Sequence, residues 1–334
     1  NAYDRTKDQE RYQLQTSNWM EQYSKEYLEA AKDIGLHHRI APSYSDYDEA
    51  WIAGASRIGV LGRLVDFNHA LKSVKINGQT LILAGQRPLW AEIDGILPDT
   101  LSALETLIAN KQTIDDLAPE VWQQQTGDVE EGKTYMQGLA NRAGIKLDSA
   151  APFIKYTPSN CPKPFVPNRT YPNTTNGTLT ETIMANDLLN SYTAHKTTII
   201  DTEHADDKRP DTATTARDAA IHLIDRIKNG DFGDKKEFVI YFQSNQPFVE
   251  RQTIVTQRAV NVALEKSNLS GITIKVDGVG FANPGAPISM IHSELGALIY
   301  EKYIETGEKS TRNVDDLLFS TRSHDQVTEA VPEL

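Results

Sequence analysis

The sequence predicts an α/β fold, a three-layer sandwich around a mostly parallel sheet, with a helical insertion and an N-terminal helix. Three observations carry this reading. Short apolar segments at residues 50–54, 80–84, 197–201, 238–242 and 272–276 have the length and composition of buried strands. Segments with apolar residues at three-to-four spacing lie between them, so the strands need crossover connections and run parallel. Turn residues such as Asn77-Gly78 and Ser244-Asn245-Gln246-Pro247 punctuate the alternation.

Taken in order, Trp19, Tyr23, Tyr27, Ala30, Ala31 and Ile34 mark an amphipathic helix ending near Gly35, its aromatic stripe expected to be core. Strand 50–54 is followed by a helix carrying Val60, Leu61, Leu64, Phe67, Leu71 and Val74, and then by strand 80–84, which completes a β-α-β unit. Residues 95–145 read as a helical insertion, with Leu101, Leu104, Leu107 and Ile108 on one face and Tyr135, Met136, Leu139 and Ala143 on another. Residues 152–178 are dense in Pro, Asn and Thr and read as an irregular insertion. The later helices have Ala216, Ala219, Ala220, Leu223 and Ile227 on one inner face and Ile291, Leu295, Leu298 and Ile299 on another. The chain thus divides into an N-terminal helical segment (1–45), an α/β domain (46–310) holding both insertions, and a C-terminal tail (311–334).

The 334 residues suffice for one large domain with a proper core, and 39% hydrophobic with 24% charged residues is ordinary globular composition. A formal charge of -12 argues against free nucleic acid as a partner, because a phosphate backbone would be repelled. No apolar stretch approaches the length of a transmembrane helix. The single cysteine, Cys161, rules out an internal disulfide and a multi-cysteine zinc site. Asn168, Asn173 and Asn176 open N-x-S/T triplets of the kind that arise by chance in such loops. A start at Asn1-Ala2 leaves two localisations open, cytoplasmic or exported after loss of an N-terminal segment.

In an open parallel sheet, ligands bind beyond the carboxyl ends of the strands, where helix N-termini present unpaired amides. The strand-end loops here are Gly54-Ala55-Ser56-Arg57, Gly85-Gln86-Arg87-Pro88 and the segment from Ser244 to Arg251. Each holds one arginine near a helix start, where a cation is unfavourable unless an anion joins it. Arg57, Arg87 and Arg251 therefore point to a small anionic ligand, with Gly54 and Gly85 permitting close backbone approach and Ser56, Ser244 and Thr215 supplying polar contacts. Glu131 or Asp218 would contact polar ligand atoms or act as general base. The nicotinamide fingerprint, a phosphate-binding P-loop and a nucleophile elbow are all absent. Asp201, Glu203, His204, Asp206 and Asp207 could hold a divalent ion, but an acidic solvated loop is the preferred reading, so no metal ligand is assigned.

The order of features resembles the SanA/YdcF/ElyC-like family of bacterial proteins. Ala50 to Ala55 followed by Arg63-Leu64 and Ala70-Leu71 is similar to that family's glycine-ended strand and Arg-Leu helix. Ala84-Gly85-Gln86 resembles its Ser-Gly-Gly turn, and Glu131 through Met136 to Gly144-Ile145 its acid-opened helix. Thr214-Thr215-Ala216-Arg217-Asp218-Ala219 looks like its Asn-Thr-x-x-Asn-Ala segment. Phe242-Gln243-Ser244 through Arg251 is similar to its Thr-Ser strand end, with Pro247 where the histidine would stand and the arginine displaced by one. The resemblance spans residues 48–94, 128–145 and 197–280. It implies a Rossmann-like sheet with a polar pocket at the strand ends, and S-adenosylmethionine or another nucleotide as the class of cofactor. Two rival readings accompany it: a metal-assisted phosphohydrolase built on residues 201–207, and a non-catalytic envelope or host-interaction module.

Overall fold

In the strand Glu49–Ala53 all five residues are buried, and the side chains alternate between two separate cores. Ala50 and Ile52 enter one core; Trp51 and Ala53 enter the other. A strand covered on both faces is the centre of a three-layer sandwich, and the chain around it is built accordingly. The structure, a computed structural model, describes residues 17–87, 89, 91–95, 98–117, 129–144, 179–192, 197–202 and 210–306.

The elements run α1 (Asn18–Gln22), α2 (Ser24–Asp33), β1 (Asp46–Tyr47), β2 (Glu49–Ala53), α3 (Arg57–Ala70), β3 (Lys75–Ile76), β4 (Thr80–Gly85), α4 (Ala91–Asp94) and α5 (Pro98–Asn110). After a 3-10 turn at Ile114–Asp116 come α6 (Val129–Ala143), α7 (Glu181–Tyr192), β5 (Thr197–Thr202), α8 (Thr212–Lys228), β6 (Glu237–Asn245), α9 (Val249–Ser267), β7 (Thr273–Phe281) and α10 (Ile288–Thr306).

Five strands form one sheet in the order β5-β4-β2-β6-β7, and every pairing is parallel. The chain winds outward from β2 through α3 to β4 and through α7 to β5, then returns through α8 to β6 on the other side of β2 and through α9 to β7. This is the Rossmann-like, doubly wound order, and its direction reverses between β2 and β6. Helices α3, α5, α6 and α7 cover the face of Ala50 and Ile52, while α8 and α9 cover the face of Trp51. Full burial of side chains such as Trp51, Phe238 and Phe242 contributes about 1.5–3 kcal/mol each.

Local chemistry sets the element ends that matter for the site. Asp211 caps α8 by accepting from the Thr214 amide at 2.9 Å, while Thr214 Oγ1 accepts from the Asp211 amide at 2.8 Å. Asn268 ends α9 in the left-handed region at φ 58°, which an asparagine tolerates better than most residues.

Three expectations need correction. The N-terminal stretch is two helices divided at Tyr23, and its aromatic stripe is not core: Trp19 is 44% exposed and Tyr23 53%. The segment rests on α10 through Ala31 and Leu36, with Trp19 edge-on to His292, so only one flank of the stripe is covered. Strands β6 and β7 run past their expected ends at 242 and 276, to Asn245 and Phe281. The helical insertion contains α5 and α6, whereas residues 152–178 and 311–334 lie outside the described residues, as do Cys161 and the three N-x-S/T asparagines.

Candidate functional site

A cavity of about 480 Å³ opens at the carboxyl ends of β2 and β6, where the winding reverses. Three helix starts converge on it: Ser56 and Gly59 of α3, Asp211 to Thr215 of α8, and Phe248, Arg251 and Gln252 of α9. The partial positive charge at helix N-termini makes this corner favourable for an anion. Ser56 occupies the N-cap position of α3 without making a side-chain capping bond. The first α3 amide, that of Arg57, instead meets Asp94 Oδ1 at 3.3 Å.

The side chain that dominates the cavity is Arg63. It sits in α3 among Val60, Leu64 and Phe67 and is only 2% exposed. Its Nη1 donates to the carbonyl oxygens of Ala53 and Gly54, each at 2.7 Å, and its Nε donates to Asn245 Oδ1 at 3.0 Å. Among the described residues those three bonds leave Nη2 with no protein acceptor, and no carboxylate comes within ion-pair distance of the guanidinium. Burial lowers its pKa to about 10, with Glu181 opposing the shift and Arg251 adding to it, so it remains a cation at neutral pH.

The other arginines of the cavity are balanced. Arg87 meets Asp94 in a two-pronged pair at 2.9 and 3.2 Å, and its Nε lies 3.9 Å from Glu181 Oε2. Arg251 is paired with Glu294, which is fully buried, and Arg258 with Glu301. A buried ion without a partner costs several kcal/mol, which makes Arg63 the unbalanced charge of this site.

Of the residues expected from the sequence to bind ligand, Gly54, Ser56, Arg87, Thr215 and Arg251 line the cavity together. Gly54 is required there, since a Cβ would lie 2.3 Å from Glu181 Oε1 and 2.5 Å from Leu83 O. Thr215 turns its hydroxyl back to Asp211 O at 3.1 Å. Arg57, Gly85 and Ser244 do not line it. The Arg57 guanidinium lies over the Tyr135 ring at 3.7 Å, so its charge is directed toward α6. Gly85 is where Pro210 packs, with a Cβ position 2.5 Å from that ring. Ser244 is fully buried and donates to Gln252 Oε1. Glu131, on α6, and Asp218, paired with Arg217 at 3.0 Å, are also absent from the lining.

Arg63 was not singled out as a ligand residue, although the sequence carried its signal. Residue 63 follows Val60 by three and precedes Phe67 by four, which places an arginine on the apolar face of its helix. A cation in that position needs an anion from somewhere. Asn245, Asn283 and Glu181 were likewise not anticipated as lining residues.

At the end of β5, Asp201 accepts from Thr182 Oγ1 at 2.6 Å and from Gln86 Nε2 at 3.3 Å, and burial raises its pKa. The remainder of the acidic run, Glu203, His204, Asp206 and Asp207, lies outside the described residues. Among the described residues no three His, Cys, Asp or Glu side chains gather as a metal site. No described helix is long and apolar enough to cross a membrane.

No family model, curated protein or solved structure matches this chain.

Proposed function

We propose that this protein binds a small organic anion of about nucleotide size in the cavity between β2 and β6. The observation that carries the reading is Arg63, a buried guanidinium that has neutral partners on two of its nitrogens and, among the described residues, no carboxylate partner. The cost of burying that charge is offset when a ligand anion accepts from Nη2 in a site screened from water. Convergent helix starts add to the same potential, and about 480 Å³ is the size of a small-molecule pocket.

The resemblance to the SanA/YdcF/ElyC-like proteins belongs to this proposal and brings S-adenosylmethionine and other nucleotides into the candidate set. A carboxylate or a phosphate oxygen can accept from Arg63 Nη2. Arg87 and Arg251 are already paired, so they shape the potential of the cavity rather than supply its free charge.

A thermal-shift and calorimetry panel of nucleotides, S-adenosylmethionine and sugar phosphates tests the reading. Any true ligand stabilises the fold by mass action, with a stabilisation that grows as the logarithm of its concentration above Kd. Arg63→Met should weaken that ligand by about 100-fold, the scale of a lost charged hydrogen-bond pair. Silence across the panel, or a ligand that binds the variant as tightly as the wild type, defeats the proposal.

A further inference from the structure

The loop between β7 and α10 brings one more side chain to the cavity. Asn283 is 2% exposed and lines it, and its Oδ1 is buried without a hydrogen-bond donor. Among the described residues no group bonds to the Asn283 Oδ1, and the amide Nδ2 likewise makes no protein hydrogen bond; the backbone carbonyl accepts from the Ala286 amide at 3.1 Å. Buried amides are ordinarily satisfied, so one that faces a cavity without a partner indicates a ligand group that completes it.

Its position relative to Arg63 follows from the sheet register. Asn245, which holds the Arg63 Nε, pairs with Phe281 across β6 and β7, and Asn283 is two residues beyond that pair. Asn245 ends β6 and Asn283 lies just past the end of the neighbouring β7, so both line the cavity from the carboxyl ends of adjacent strands. A lone inorganic anion at Arg63 would leave the amide unsatisfied. A hydroxyl, which both donates and accepts, matches an amide that offers both functions.

Resting on the anion reading above, we infer that the ligand is an organic phosphate whose carbon skeleton carries a hydroxyl near the phosphorus, as in a sugar phosphate or the ribose phosphate of a nucleotide. Asn283 is then the residue that distinguishes such a ligand from a plain anion. The phosphate is favoured over a carboxylate because the available donors, Arg63 Nη2, the Ser56 hydroxyl and the helix starts, come from separate elements and suit a group with several acceptor oxygens.

The test compares ribose 5-phosphate with butyl phosphate, which has the anion and no hydroxyl, by calorimetry on the whole chain. Wild type should bind ribose 5-phosphate at least about tenfold tighter, the scale of one well-made hydrogen bond to a buried group. Asn283→Leu, nearly isosteric and apolar, should erase that preference, read as the ratio of the ribose 5-phosphate and butyl phosphate affinities. Asn283→Ala, which adds no volume, serves if the leucine variant does not fold. Equal binding of the two probes by wild type, or a preference that survives both substitutions, overturns the role of Asn283 while Arg63-dependent anion binding stands. If neither probe binds in an Arg63-dependent way, the anion reading fails and this inference fails with it.

Discussion

Arg63 and Asn245 are 182 residues apart in the chain, yet the Arg63 Nε donates to Asn245 Oδ1 at 3.0 Å. The bond joins the first helix of the sheet to the last residue of β6, directly across the point where the strand order reverses. With Nη1 fixed on the Ala53 and Gly54 carbonyls, the guanidinium is clamped on two edges and presents the third. A cation oriented before its ligand arrives loses little entropy on binding, which is the general advantage of a preorganised site.

Asn245→Leu should therefore weaken anion binding without removing any charge. The variant loses the acceptor on Nε and frees one edge of the guanidinium. Affinity for ribose 5-phosphate is expected to fall about tenfold, and folding stability by about 1–2 kcal/mol, as calorimetry and urea unfolding would report. An unchanged affinity would mean that the clamp has no part in presenting Arg63.

The balanced arginine behaves differently. Asp94 is fully buried and answers Arg87 on two nitrogens as well as the Arg57 amide. Asp94→Asn keeps the shape and removes the charge, so the variant should lose about 3 kcal/mol of stability, because a buried arginine is left without its main counter-ion. The double change Asp94→Leu with Arg87→Met should recover part of that loss, since neither charge is then stranded. Urea unfolding of the wild type and the two variants checks this, and a double variant less stable than Asp94→Asn would count against it.

The sheet was legible in the sequence because its strands are buried on both faces and so read as continuous apolar runs, as at residues 80–84 and 238–242. The ends of β6 and β7 were not. Gln243, Ser244 and Asn245 look like loop residues, but they are strand, their polar groups taken up by Asp66, Gln252 and Arg63. Two of those partners, Asp66 and Arg63, are far away in the chain, so the pairing leaves no local pattern. Gly54, Ser56, Arg87 and Arg251 were recoverable because strand-end loops can be located once the strands are, and Thr215 through the family resemblance. Arg57 and Arg63 exchange roles for a helical reason: the first turns toward Tyr135, the second faces the sheet. The loop position of Arg57 suggested a ligand contact, whereas Arg63 lies inside a helix and entered the sequence reading only as part of the Arg63-Leu64 pair of the resemblance.

Gly54 marks how closely the chain packs beside the cavity. An added Cβ would stand 2.5 Å from Leu83 O and 2.3 Å from Glu181 Oε1. The carboxylate could turn aside, but Leu83 O accepts from the Gly54 amide at 3.1 Å and is part of β4. Gly54→Ala should cost about 2–3 kcal/mol, the range for overpacking a rigid site. Removing the carboxylate as well, with Glu181→Ala, should not restore stability. Full restoration in the double variant would place the whole clash on the side chain.

A final prediction concerns the opposite end of β2, away from the ligand site. Glu49 is fully buried and accepts from Trp51 Nε1 at 2.8 Å, with Arg226 paired to its other oxygen. Burial nevertheless pushes its carboxyl up from the ordinary 4.5 to about 7, outweighing Trp51 and Arg226. A carboxyl that holds its proton more tightly in the folded chain contributes stability that is whole below about pH 4.5 and drains away as pH climbs through 7. Glu49→Gln, which cannot titrate, removes that dependence. The difference in unfolding free energy, wild type minus variant, should thus fall by on the order of 2–3 kcal/mol between pH 4 and pH 8. Urea unfolding across that range measures it, and a difference that stays flat or rises with pH would show that Arg226 holds Glu49 ionised throughout.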